Sequence, residues 1–262
     1  MVIILVSTTF LVQNQYYSTQ IQATGAHDNV RAATELVASE IRSVMASGIT
    51  VAGARTLTIR TPMQLTVACF VDASGFSADV YTYGGEQALD TDEVAGIAAR
   101  NATTGAWTYV NAPWSQLNSL YTGSPELCEG NAADTVGARA GFHRFKDMDT
   151  TIGTPAVGDV LMLFRETTFS FRTSVMDTTT VGLFRQVYGG SAIEFATGMD
   201  STAQFQYRIG TSYGDTVPGF FLPFVDVIRI VAEARKPAQT GGVDDVTFGW
   251  SVNVALRNLR AN

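Results

Sequence analysis

No Asp, Glu, Lys or Arg occurs before Asp28, and the opening residues 1–12 read MVIILVSTTFLV. A charge-free apolar start needs a cover other than water, and that need constrains every fold the chain can adopt. Twelve such residues fall short of the roughly 20 that span a bilayer. A secretory signal would open on Lys or Arg, which this segment lacks. Further on, Val30, Ala33, Val37, Ile41 and Val44 recur at spacings of three and four, which lays an apolar stripe along one helix face. Arg31, Glu35, Glu40 and Arg42 fall largely off that stripe. Asp28 or Asn29 could cap a helix start, and Gly25 could be a joint in a helix running through from the beginning. A helix continuous to about Ser47 would be roughly 70 Å long at 1.5 Å per residue. A compact domain of this size cannot cover that length, so one half is expected to project.

From Ile49 the apolar period changes to two. Segments 56–60, 63–71, 78–83, 160–165, 167–172, 181–188, 203–209, 227–235 and 246–256 are rich in Val, Phe, Tyr and Thr and read as strands. The clearest has Ile228, Ile230, Ala232 and Ala234 on one face and Arg229, Glu233 and Arg235 on the other, the mark of an antiparallel sheet with one wet side. Residues 84–158 are dominated by Gly, Asn, Asp and Thr and read as a loop-rich insertion anchored by Trp107, Tyr109 and Trp114. The expected class is α+β: a long N-terminal α-helix over 1–48, with 1–23 projecting, packed by its C-terminal half against an antiparallel β head over 49–262.

Charged residues make up 16% of the chain, below the roughly 25% of ordinary soluble domains, so uncharged Thr, Ser, Gly and Asn must finish the surface. The net charge of -7 disfavours nucleic acid as a partner. Cys69 and Cys128 stand 59 positions apart, with no Cys-x-x-Cys pair. A structural disulfide is the natural reading and implies an oxidising compartment; two buried thiols are the other.

Motifs for chemistry are few. Gly210-Thr211-Ser212-Tyr213-Gly214 follows a strand, but a nucleophile elbow needs a helix next and a later histidine. A turn-like segment follows instead, and His27 and His143 both come earlier. Asp90, Asp92 and Glu93 are spaced like part of a calcium loop, yet the Gly and distal Glu are missing, and a solvated acidic loop is the alternative. There is no zinc spacing, no GxxxxGK[ST] and no GxGxxG. No cofactor, metal or catalytic residue is therefore expected. Asn101-Ala102-Thr103 is a sequon, with Asn101 the candidate glycosylation site.

The apolar start, the segment Gln13-Asn14-Gln15-Tyr16-Tyr17 and the run from Val30 to Arg42 (VRAATELVASEIR) together resemble the first helix of the type IV pilin-like family, in particular large minor pilins and type II secretion pseudopilins. The strands around Phe169–Arg172, Gly182–Val187, Phe205–Tyr207 and Val252–Asn258 are loosely similar to the family's head. The processing motif, Gly before Phe-Thr-Leu-Ile-Glu, is absent, so the given sequence is expected to begin inside the arm, short of it by roughly 6 to 14 residues. The resemblance implies a structural subunit of an extracellular type IV pilus-like filament on the cell surface, inserted in the inner membrane before export. It would polymerise with copies of itself, and with other pilins, through Ile3, Ile4, Leu5, Phe10 and Leu11. The alternatives are a minor pilin or pseudopilin at a filament tip, or a membrane-anchored binding module.

A bond between Cys69 and Cys128 should appear as one crosslinked peptide pair in mass spectrometry without reductant; two alkylatable thiols would remove the argument for an oxidising compartment.

Overall fold

The computed structural model describes residues 2–71, 78–82, 90–101, 105–112, 114, 118–119, 142–145, 156, 158–236 and 246–256, and within its helix the side chains mainly from His27 onward. One helix, α1 (Val2–Arg42), precedes β1 (Ile49–Gly53), β2 (Thr56–Val71), β3 (Ala78–Thr82), β4 (Gly96–Arg100), β5 (Trp107–Asn111), β6 (Asn118–Ser119), β7 (Phe142–Phe145) and β8 (Val160–Thr173). Then come β9 (Val181–Val187), β10 (Ile193–Met199), β11 (Gln204–Ile209), β12 (Ser212–Gly214), β13 (Val227–Lys236) and β14 (Val246–Ala255), with short 3-10 segments at Thr91–Glu93 and Gly219–Phe224.

The α+β expectation is corrected. Strand accounts for 52% of the structure and helix for 20%, and the strands form a curled antiparallel half-barrel. The fold is therefore mostly β, and a long N-terminal helix bearing a head is not its organising feature. The reason is the extent of strand that sequence periodicity underestimates. Among the described residues all 14 strands belong to one sheet.

Two long strands build that sheet. β2 and β8 pair antiparallel from Thr56↔Ser170 to Val67↔Val160, and each has two partners along its other edge. The start of β2, Thr56 to Ile59, takes β1 and its last part takes β3; the end of β8 takes β9 and its start takes β4. The ribbon thus serves two lobes. In the larger, β9, β10, β13, β14 and β11 continue the curl. In the smaller, β4 pairs with β5 while β3 carries β7 and β6.

Within 84–158, read from sequence as loop-rich, the described residues include β4, β5, β6 and β7. Gly96–Arg100 joins the central sheet against Phe164–Leu161, although a Gly-Ile-Ala-Ala run has little β-branched character. Small residues are demanded here by packing: a Cβ on Gly96 would strike the Val110 carbonyl and the Phe164 ring. Ile97, Ala99, Leu161 and Leu163 bury one face of this lobe, and Ala98, Met162 and Phe164 bury the other. Burial on both faces removes the alternation that reveals a half-wet strand.

The core of the larger lobe contains Val30, Ala33, Val37, Ala38 and Ile41 of α1, together with Leu57, Ile59, Phe169, Phe171, Leu183, Phe205, Ile228 and Ile230 of the strands. α1 lies against β10, β13 and β14. On β13 the inward residues Ile228, Ile230, Ala232 and Ala234 are buried, whereas Arg229 and Glu233 are only half-buried, as the period of two dictates. Tyr207 closes the curl by donating to the Gly53 carbonyl at 2.9 Å, and burial pushes its phenol well above the usual range.

Charge fixes the helix along its axis. Arg185 Nε reaches Glu40 Oε1 at 2.9 Å, Arg165 lies 3.9 Å from the other oxygen, and Arg165 Nη1 also binds Glu93 at 2.9 Å. Glu40 is 15% exposed, so its pairing is only partly screened, and removing one partner would leave charge facing a low-dielectric wall.

Ile41→Ala should lower unfolding free energy by about 2–5 kcal/mol in urea titration, while Leu36→Ala, at a half-exposed position on the same helix, should change it by about 0.5 kcal/mol or less. Equal effects would mean that the stripe is not core.

Candidate assembly surface

α1 is anchored down to the turn of His27. The His27 ring meets Trp250 edge-on at 5.5 Å and Phe248 at 6.3 Å, the Arg31 guanidinium lies 5.4 Å over the Trp250 ring, and Asn29 Nδ2 donates to the Thr197 carbonyl at 3.4 Å. Every described side chain before His27 is exposed: Gln13, Tyr17, Ile21 and Thr24. Their spacings of four, four and three place them on one face. Tyr17 is 65% and Ile21 57% exposed, so apolar surface on this face lies open to solvent.

A second apolar feature stands where the helix leaves the barrel. Thr197, which accepts from Asn29, also exchanges a 2.8 Å hydroxyl bond with Ser174, and Ser174 opens the turn between β8 and β9. In that turn Val175 and Met176 are 77% and 85% exposed. They are held in place: the Val175 amide donates to Glu194 Oε2 at 2.8 Å, and the amides of Met176 and Asp177 donate to Ser174 Oγ at 3.1 and 3.0 Å. Apolar tips on a hydrogen-bonded turn have little ordering cost left in any contact they make.

The third feature is the segment Gly219–Phe224. Leu222 packs on the barrel core between buried Val217 and Val225, which turns Phe220, Phe221 and Phe224 outward. Phe220 and Phe221 lie 4.1 Å apart, and Phe221 and Phe224 6.5 Å. Neither patch is legible from periodicity, because both lie in turns between periodic segments. The available signal was a Phe-Phe-Leu-Pro-Phe run bounded by Pro218 and Gly219, which cannot continue a strand.

The residues singled out from sequence are dispersed. Val30, Ala33, Val37, Ile41 and Val44 are buried. Ile3, Ile4, Leu5, Phe10 and Leu11 belong to α1, but their side chains lie outside the described residues, as do Cys128 and the side chain of Cys69 in β2. Asn101 is exposed at the turn after β4, where its carbonyl accepts from the Gly105 amide at 2.8 Å; Ala102 and Thr103 lie outside the described residues.

Ser212 is exposed on β12 after a Gly210 with φ of 64°, so the string is a strand–turn–strand hairpin rather than the strand–turn–helix of a nucleophile elbow. Asp90 caps the 3-10 turn by accepting from the Asp92 amide at 3.2 Å. Glu93 is taken by Arg165. Beside this turn, a cleft of about 490 Å³ opens towards Tyr188, Gly190 and Ile193 of the β9–β10 hairpin. Among the described residues no group of His, Cys, Asp and Glu could hold a metal ion.

Comparison with known proteins returned no match to any family model, to any curated protein or to any solved structure.

Proposed function

We propose that this chain is a structural, non-catalytic subunit of an extracellular type IV pilus-like filament, and that copies associate through the first half of α1. The observation that carries this reading is the charge-free stretch before Asp28, which in α1 leaves Tyr17 and Ile21 exposed beyond the last anchored turn. Burying a large apolar side chain is worth about 1.5–3 kcal/mol, and repetition over many subunits suffices for a polymer. A helix from one copy against a different surface of the next is a heterologous contact, and such contacts build an open filament when the rotation between copies does not close a ring. The fixed tips at Val175 and Met176, beside the exit of the helix, offer a surface of matching chemistry. Among the described residues no helix is long and apolar enough to cross a membrane. Passage through an inner membrane before assembly therefore rests on the sequence resemblance.

Ile21→Asp in the full chain adds one charge to the exposed face. Sedimentation should show assembly reduced at least tenfold, with the thermal melt unchanged because Ile21 is not part of the core. Polymerisation at wild-type concentration by this variant would refute the assignment.

A further inference from the structure

The edges of the sheet are not alike. β12 has three residues and β6 two, and β1 has five with a register irregularity between Ile49 and Val51. β14 has ten residues, pairs among the described residues only with β13, and does so in unbroken register from Val227↔Ala255 to Lys236↔Val246. Its sequence, VTFGWSVNVA, has no Pro and no charged residue. Natural edges are blunted by short length, Lys, Pro, bulges or cover. Of these the described structure gives β14 no short length, no bulge, no Pro and no charge.

The direction of its free backbone groups follows from the ladder. The Leu256 amide donates to the Asp226 carbonyl at 3.0 Å, so in an antiparallel pair the residues that bond β13 are Val254, Val252, Trp250, Phe248 and Val246, two apart. On the opposite side of β13 the Glu233 carbonyl accepts from the Asp200 amide at 2.7 Å, consistent with the same alternation. Thr247, Gly249, Ser251, Asn253 and Ala255 therefore aim N–H and C=O away from the sheet. Among the described residues nothing is hydrogen-bonded to these outward backbone groups. Gly249, Ser251, Asn253 and Ala255 are exposed.

We propose that β14 joins two copies of this chain edge to edge, antiparallel across a two-fold axis. Centred on Ser251, this pairing sets Ser251 against itself, Gly249 against Asn253 and Thr247 against Ala255, each as a hydrogen-bonded pair, so every outward group is satisfied. A second copy is the fitting occupant because self-pairing of a strand brings any charge near its own image, and β14 has none to oppose. The contact is isologous and closes at two, so it is separate from the contact through α1 and does not rest on it.

The test uses the full chain carrying Ile21→Asp, so that dimerisation is read apart from any polymer. Analytical ultracentrifugation over a dilution series should show a monomer–dimer equilibrium. Ser251→Pro removes an outward N–H, which an edge tolerates, and should weaken the dimer at least tenfold with the melt nearly unchanged. Ser251→Lys should do the same, and mixing it with Ser251→Glu should restore a dimer containing one of each. A monomer at every concentration, a dimer indifferent to both single variants, or no rescue on mixing would overturn the proposal. If Ser251→Pro unfolds, the Lys and Glu pair still decides it.

Discussion

The pairing of β2 with β8 is the constraint on which the rest of the molecule depends. Because both strands outlast any single partner, one ribbon is shared by two lobes with separate cores, and neither lobe is complete without it. The ribbon passes from one to the other at Pro62, where the register slips between Pro62 and Gln64. There Arg60 is held between lobes: it lies 4.9 Å over the Tyr109 ring and 5.2 Å over Phe164, donates to Asn111 at 2.9 Å, and stands 3.6 Å from Glu166. Tyr109 in turn donates to the Ala46 carbonyl just beyond α1 at 3.1 Å. Arg60, through Tyr109, thus links the ribbon, the small lobe and the segment that follows α1, and a planar cation stacked on two rings suits that role better than lysine would.

What the sequence discloses follows from which faces are wet. β13 is half-buried, alternates cleanly and is legible. β2 and β8 each look like two shorter strands because Pro62 in one and the half-buried pair Arg165-Glu166 in the other interrupt the buried run at the passage between lobes. β10 is hidden for another reason: its pairing with β9 slips twice, between Glu194 and Ala196 and between Ala196 and Met199, and Gly198 has φ of 82°, so no regular period survives. β4 is illegible because tight packing selects Gly and Ala. These omissions share a direction, and their sum moves the fold from the expected α+β to a mostly β half-barrel.

The candidate site shows the same asymmetry. The stripe from Val30 to Val44 can be read because a helix on a sheet must be apolar on one side only, and the exposed face of α1 can be read from its lack of charge. The tips at Val175 and Met176 and the ring cluster at Phe220, Phe221 and Phe224 cannot be recognised as exposed by composition, since isolated apolar residues are as common inside a core as outside it. Only the turn bonds around Ser174 and the anchoring of Leu222 establish that these side chains face water in the monomer.

The central claim is a division of α1: from Val30 onward it packs on the barrel, and before His27 we propose that it packs on a neighbouring subunit. Amide hydrogen exchange on the full chain, compared between dilute and assembled protein, measures that division directly. The account predicts slow exchange for residues 30–42 in both states, and for residues 2–24 fast exchange when dilute and slow exchange when assembled. Protection of residues 2–24 that is the same in both states, whether fast or slow, would contradict it.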